Sequence, residues 1–171
     1  MPQTSTAMNA VDAVVEVSTD GATWTNISGS TNKVDVAPVT VDSGMAATLE
    51  GAFKIVTSGK INPVDVSVTI LYTETASEAA AILESRRSVR PPTLYFRYTP
   101  GGYNGDYRYK VANSTGNTVA ARITEFPSVS VDAGAAGPAL MTFKLQATQL
   151  VREAATPSPS GSASPSASSS A

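Results

Sequence analysis

Apolar and polar residues alternate along most of this chain. Between Pro63 and Tyr72, Val64, Val66, Val68, Ile70 and Tyr72 fall on one side of an extended chain and Asp65, Ser67 and Thr69 on the other. A period of two is the signature of a strand with one packed and one exposed face. The pattern recurs in Val15 and Val17, in Leu94, Phe96 and Tyr98, in Val119, Ala121 and Ile123, and in Met141, Phe143, Leu145 and Ala147. Asp20-Gly21 supplies a turn, because glycine accepts positive φ without a Cβ clash, and residues 11–28 read as a β-hairpin that returns through Trp24 and Ile27. Leu94–Thr99 and Asp106–Val111 are expected to pair across Pro100-Gly101-Gly102.

Two regions break the rhythm. Residues 29–62 read as a long, partly extended excursion: Pro38 removes a ladder donor, Asp42-Ser43-Gly44 interrupts, and Gly51 and Gly59 weaken the stretch around Leu49, Phe53 and Ile55. Residues 79–84 read as a short helix, with Thr75 and Glu78 at capping-box spacing and Arg86-Arg87 at the C-terminal end. Pro91-Pro92 stops its continuation. About eight strands and one helix predict a mainly β fold, a β-sandwich or partly open barrel with one flanking α-helix. Its expected core holds Val15, Val17, Trp24, Val64, Val66, Val68, Ile70, Ile82, Leu83, Phe96, Phe143 and Leu145.

Composition sets the domain limits and removes most chemistry. Residues 154–171 contain eight Ser, three Pro and no charge, too little apolar area to offset ordering entropy. The expected organisation is a flexible arm at 1–10, one β domain at 11–153 and a disordered tail at 154–171. The absence of Cys and His removes thiolate nucleophiles, disulfides, the Ser-His-Asp arrangement and most zinc sites. Gly101-Gly102-Tyr103-Asn104-Gly105 lacks the Lys-Ser/Thr ending of a phosphate loop. No catalytic, cofactor or metal residue is assigned, and no enzyme is expected. No apolar run has signal-peptide or membrane-spanning length, so no membrane partner is expected.

Charge is balanced overall but uneven along the chain. Asp12, Glu16, Asp20, Asp35, Asp42 and Glu50 stand against Lys33 alone through Phe53, whereas Arg86, Arg87, Arg90, Arg97, Arg108 and Lys110 surround only Asp106. Such patches either meet across a subunit contact or lie beside each other within one fold. Tyrosines interleaved with arginines suit a packed sheet or protein interface, a nucleic-acid groove or a carbohydrate platform.

The hairpin Val15–Gly29, the strand Lys60–Tyr72 and the segment Pro92–Gly102, in that order around one helix, resemble the tail tube proteins (major tail proteins) of long non-contractile-tailed bacteriophages. The resemblance spans about residues 11–150. It implies a virion structural subunit, made and assembled in the host cytoplasm, that stacks as hexameric rings around a tape-measure protein. It also implies neighbouring tail tip and terminator proteins, and viral DNA passing non-specifically down the lumen. Asp65, Ser67 and Thr69 would then face the channel, residues 29–62 would stack on the next ring, and Lys33, Asp42, Glu50, Lys54, Arg86, Arg87 and Arg90 are candidate subunit-interface residues. Where some members of the family carry an Ig-like C-terminal domain, this sequence shows the Ser/Pro/Ala-rich tail, expected to be an external flexible fringe. A tail terminator or neck ring protein is the near alternative. A monomeric β-sandwich carbohydrate-binding module, with a platform of Trp24, Tyr95 or Tyr103, is the distant one.

Overall fold

The computed structural model describes residues 12–46, 55–75, 78–102, 105–127 and 137–155. Its centre is an eight-residue antiparallel match between β6 (Val64–Leu71) and β10 (Leu140–Ala147), in register from Val64↔Ala147 to Leu71↔Leu140. Cross-strand partners share a face, so Val64, Val66, Val68 and Ile70 bury together with Ala147, Leu145, Phe143 and Met141. On the far edge of β6 lies β3 (Thr31–Val36), and on the far edge of β10 lies β9 (Ala121–Glu125).

β7 (Thr93–Thr99) joins this sheet to a second one. Its first residues pair with β9 at Thr93↔Arg122 and Leu94↔Ala121. The rest pairs with β1 (Val14–Ser18) on one edge and β8 (Tyr107–Ala112) on the other. β2 (Thr25–Asn26) adds to β1, and β11 (Gln149–Ala154) adds to β8. The result is one continuous, open nine-stranded sheet, folded over a shared apolar cluster that contains Val15, Val17, Phe96, Val66, Phe143 and Leu145. The architecture is therefore mainly β with one flanking helix, α1 (Ala79–Arg86), which buries Ala79 and Leu83 on the cluster.

Several sequence expectations need correction. Thr75 does not cap the helix with its side chain: Glu78 is itself the extended N-cap residue, and its amide donates to the Thr75 carbonyl at 3.1 Å. Ile82 is only partly buried against the cluster. Trp24 lies outside it, because β2 is a two-residue strand at the hairpin rim and leaves the indole half-exposed. The excursion is shorter than 29–62, since Thr31–Val36 belongs to the main sheet. Asp42-Ser43-Gly44 does not interrupt: β4 (Val41–Ala46) runs through it and pairs with β5 (Ile55–Ile61) as a separate two-stranded ribbon. Gly59 favours this pairing, because a Cβ there would come within 2.7 Å of Asp42. The chain also does not finish its sheet at Ala147, but crosses at Thr148 into β11. Leu49, Phe53, Tyr103, Val129 and Val131 lie outside the described residues, as does the tail beyond Ala155.

Phe143 is fully buried beside Val68 on the central pair. Phe143→Ala should lower unfolding free energy by about 3–5 kcal/mol, read by urea denaturation; a loss under about 1 kcal/mol would contradict this core.

Candidate functional site

The outward face of β3, β6, β10 and β9 is polar because the alternation that buries one side exposes the other. Thr69 Oγ1 lies 3.0 Å from Thr142 Oγ1, and Gln146 Nε2 donates to Asp65 Oδ1 at 3.4 Å. Lys144 pairs with Glu125 at 2.6 Å, and Lys33 with Asp35 at 2.6 Å. Ser67 sits between Asp35 of β3 and Lys144 of β10 in the ladder, and Arg122 stands opposite Gln146. Lys33, Lys144 and Arg122 oppose Asp35, Asp65 and Glu125, so three cations and three anions cancel formally on this face. The hydrogen bond and charge of Glu125, followed by the charge of Asp65, raise the Lys144 ammonium above its ordinary value despite some desolvation. Asp65, Ser67 and Thr69 thus share one face, and Lys33 lies on it too, opposite Thr69.

The outward face of the second sheet is built differently. Arg97 grips Glu16 with two bonds, Nε to Oε2 at 2.6 Å and Nη2 to Oε1 at 3.0 Å, and its guanidinium lies 4.0 Å from the Trp24 ring centroid. Glu153 receives Arg108 at 2.5 Å and Lys110 at 2.6 Å. These side chains are mostly covered, which makes the charge-assisted bonds strong and the loss of either partner costly. The acidic N-terminal stretch and the basic central stretch therefore meet within one chain at Glu16–Arg97. Trp24 already has a cation on its ring, so it is an edge residue locked to β7 and not a core side chain.

At the hairpin, Ser18, Asp20 and Gly21 interlock. The amides of Thr23 and Ala22 and the Ser18 hydroxyl hold the Asp20 carboxyl well below the usual carboxylate range, while Gly21 turns at φ 78°.

The candidate interface arginines have partners in their own chain. Arg86 Nε donates to the Thr93 carbonyl at 2.9 Å and ties α1 to β7. Arg87 pairs with Glu84 at 2.9 Å and lies over the Phe126 ring. Arg90 donates to the carbonyls of Arg87 and Val89 and is otherwise exposed. Asp42 accepts a 2.9 Å bond from Asn62 at the ribbon base. Glu50 and Lys54 lie outside the described residues. Among the described residues, no three His, Cys, Asp or Glu side chains gather as a metal site, and no helix is long and apolar enough to cross a membrane.

The sequence reading missed the apolar surface of the ribbon. Val41, Met45, Val56 and Ile61 are 49, 71, 67 and 59 % exposed. Val41 pairs with Ile61 and Met45 with Val56, and positions 41, 43 and 45 alternate, so all four share one face. The signal was the spacing Val41-x-Ser43-x-Met45, obscured by Gly44.

No protein-family model matches the chain, and no curated protein sequence does. Solved structures match in fold. A chain of the sheath–tube complex of the PVC extracellular contractile injection system in its extended state superposes with TM-score 0.66 at 13 % identity, covering 88 % of this chain and 94 % of that one. A chain of the tube-terminating cap of the anti-feeding prophage gives 0.63 at 13 % identity, with 91 % and 96 % covered. A chain of the six-fold symmetrised baseplate of the same prophage gives 0.61 at 10 % identity, with 90 % and 97 % covered. The class that this architecture defines is the tail-tube-like fold.

Burial pushes the Glu153 carboxyl up, but Lys110 and Arg108 outweigh it and hold it below its ordinary value near 4.5. Ionised Glu153 therefore contributes stability above that value, and the contribution is lost as pH falls from about 4.5 through the lower folded value. Glu153→Gln should cost about 1–3 kcal/mol at pH 7 and flatten the acid limb of a stability–pH profile. An unchanged acid limb would contradict the assigned network.

Proposed function

We propose that the chain is a structural subunit of a phage tail tube, polymerising as stacked hexameric rings that form the conduit for viral DNA ejection. The observation that carries this reading is the polar face of β3, β6, β10 and β9, whose charges cancel while the other side of β6 and β10 is apolar throughout. A conduit for DNA needs a wetted wall without a surplus of cations, because each phosphate neutralised by Lys or Arg strengthens binding and slows passage. Asp65, Ser67 and Thr69, joined by Thr142, Lys144 and Gln146, would line that wall.

Ring formation has a structural basis in the sheet. Among the described residues β3 has one strand partner, β6, and so forms an edge of the sheet; closing such edges around a ring gives a continuous barrel. Six-fold symmetry is adopted from the baseplate of the anti-feeding prophage and from the tail-tube resemblance. Tape-measure protein, tail tip and terminator complete the assembly in this reading. The sequence resemblance is to sheathless tails, whereas one of the fold likenesses is to a chain of a contractile injection system, so the reading extends to the tube and not to a sheath. Lys33, Asp42, Arg87 and Arg90 are the exposed ones among the described interface candidates. Arg86 serves α1 and is a poor choice for an assembly-specific substitution.

A tube-terminating ring is the second reading, favoured by the nearly equal likeness to the anti-feeding prophage cap. Negative-stain electron microscopy of purified protein over a concentration and salt series, with and without its tape-measure and tip proteins, separates the two. Hollow filaments of regularly stacked rings are expected. Single closed rings would transfer the assignment to a terminator, and a monomer that persists with all initiators present would overturn both.

A further inference from the structure

The two sheets part along one side. A groove of about 460 Å³ opens there between β1, β3 and the end of β7, walled by Ala13, Val15, Val34, Tyr98 and Pro100. Val34 and Tyr98 are only partly buried where they meet the core, so their outer surfaces face the groove without a cover among the described residues. Stacking on Tyr109, with centroids 5.2 Å apart, fixes the Tyr98 ring. Lys33 is the one charged lining residue described, and it already pairs with Asp35 at 2.6 Å. An occupant that suits this groove is apolar and carries no charge of its own.

The described chain begins on the groove wall. Asp12 lies over the β7–β8 turn, where a Cβ on Gly102 would overlap its carbonyl oxygen, and Ala13 is itself a lining residue. The eleven residues before Asp12 hold no charged side chain and end in an apolar set, Ala7, Met8, Ala10 and Val11. Met8 stands five residues before Ala13, a span of up to about 18 Å, which exceeds the roughly 10 Å of β3 between Thr31 and Val34. Two other parts of the chain fit less well. The tail beyond Ala155 contains only Ser, Pro, Ala, Gly and Thr, so it offers no large apolar anchor. The described residues of the β4–β5 ribbon contribute nothing to the groove lining.

We propose that residues 7–11 of the chain's own N-terminal segment seat in the β1–β3–β7 groove, with the Met8 side chain against Tyr98 and Val34. A segment tethered this closely meets the groove at an effective concentration on the order of millimolar, which favours its own copy over a neighbour. The arm thereby closes the open side between the sheets. This seat is a property of the single subunit and does not depend on the tube.

The chain has four methionines and six tyrosines, so methyl-labelled Met and ring-labelled Tyr give few signals. With both labels in each copy, nuclear magnetic resonance should show a contact between the Met8 methyl and the Tyr98 ring, assigned with Met8→Leu and Tyr98→Phe. Magic-angle spinning gives the same readout from filaments. A one-to-one mixture of Met-labelled and Tyr-labelled copies should lose the contact. A mixture that keeps it places the arm in a neighbour's groove and overturns the own-chain seat. A Tyr98 contact to the Met45 methyl in place of Met8 gives the groove to the ribbon and overturns it too, as does the absence of any Met8 contact. In parallel, Met8→Asp should lower the thermal midpoint by about 2–5 °C, while Gln3→Asp leaves it unchanged. An unchanged midpoint for Met8→Asp also contradicts the seat. Each of these failures leaves the tube reading standing.

Discussion

The register between β6 and β10 is the constraint on which the rest depends. Eight consecutive pairs place Val66 opposite Leu145 and Val68 opposite Phe143 on one face, and Asp65 opposite Gln146 and Ser67 opposite Lys144 on the other. A slip of one residue would drive Lys144 and Asp65 into the apolar cluster and bring Phe143 and Leu145 into water. That penalty fixes both faces at once. β3 and β9 then attach to a template whose polar and apolar sides are already decided, and β7 carries the apolar side over into the second sheet.

The two outward faces spend their charges differently. On the second sheet, Glu16, Arg97, Lys110, Glu153 and Arg108 are mostly covered and hold one another, so they tie β1, β7, β8 and β11 together. On the first sheet, the charges are more exposed, compensated in short-range pairs, and interspersed with Ser67, Thr69, Thr142 and Gln146. Solvent screens such pairs, and they add little to stability. Their use in the proposed tube is to leave no net field for a polyanion to follow. Among the described residues the β4–β5 ribbon has a third character, apolar and uncovered.

How much of this was legible in the sequence follows from which forces act locally. Strands with one buried face announce themselves through alternation, so β1, β6, β7, β8, β9 and β10 and the face shared by Asp65, Ser67 and Thr69 could be read directly. β11 could not, because Gln149–Ala154 has little alternation and is held by Arg108 and Lys110 through Glu153, a pairing 43 or more residues away in sequence. Trp24 was misplaced because bulk and apolarity suggested burial, whereas a cation from β7 accounts for its position. The β4–β5 ribbon was obscured by glycine, which lowers strand propensity yet here admits close approach at Gly59.

A helical cryo-electron microscopy reconstruction of the assembled protein tests the central claim most directly. The account predicts a hollow tube whose inner wall is the β3–β6–β10–β9 face, with Asp65, Ser67 and Thr69 pointing into the channel. A tube that turns this face outward, or buries it against a neighbouring subunit, would contradict it.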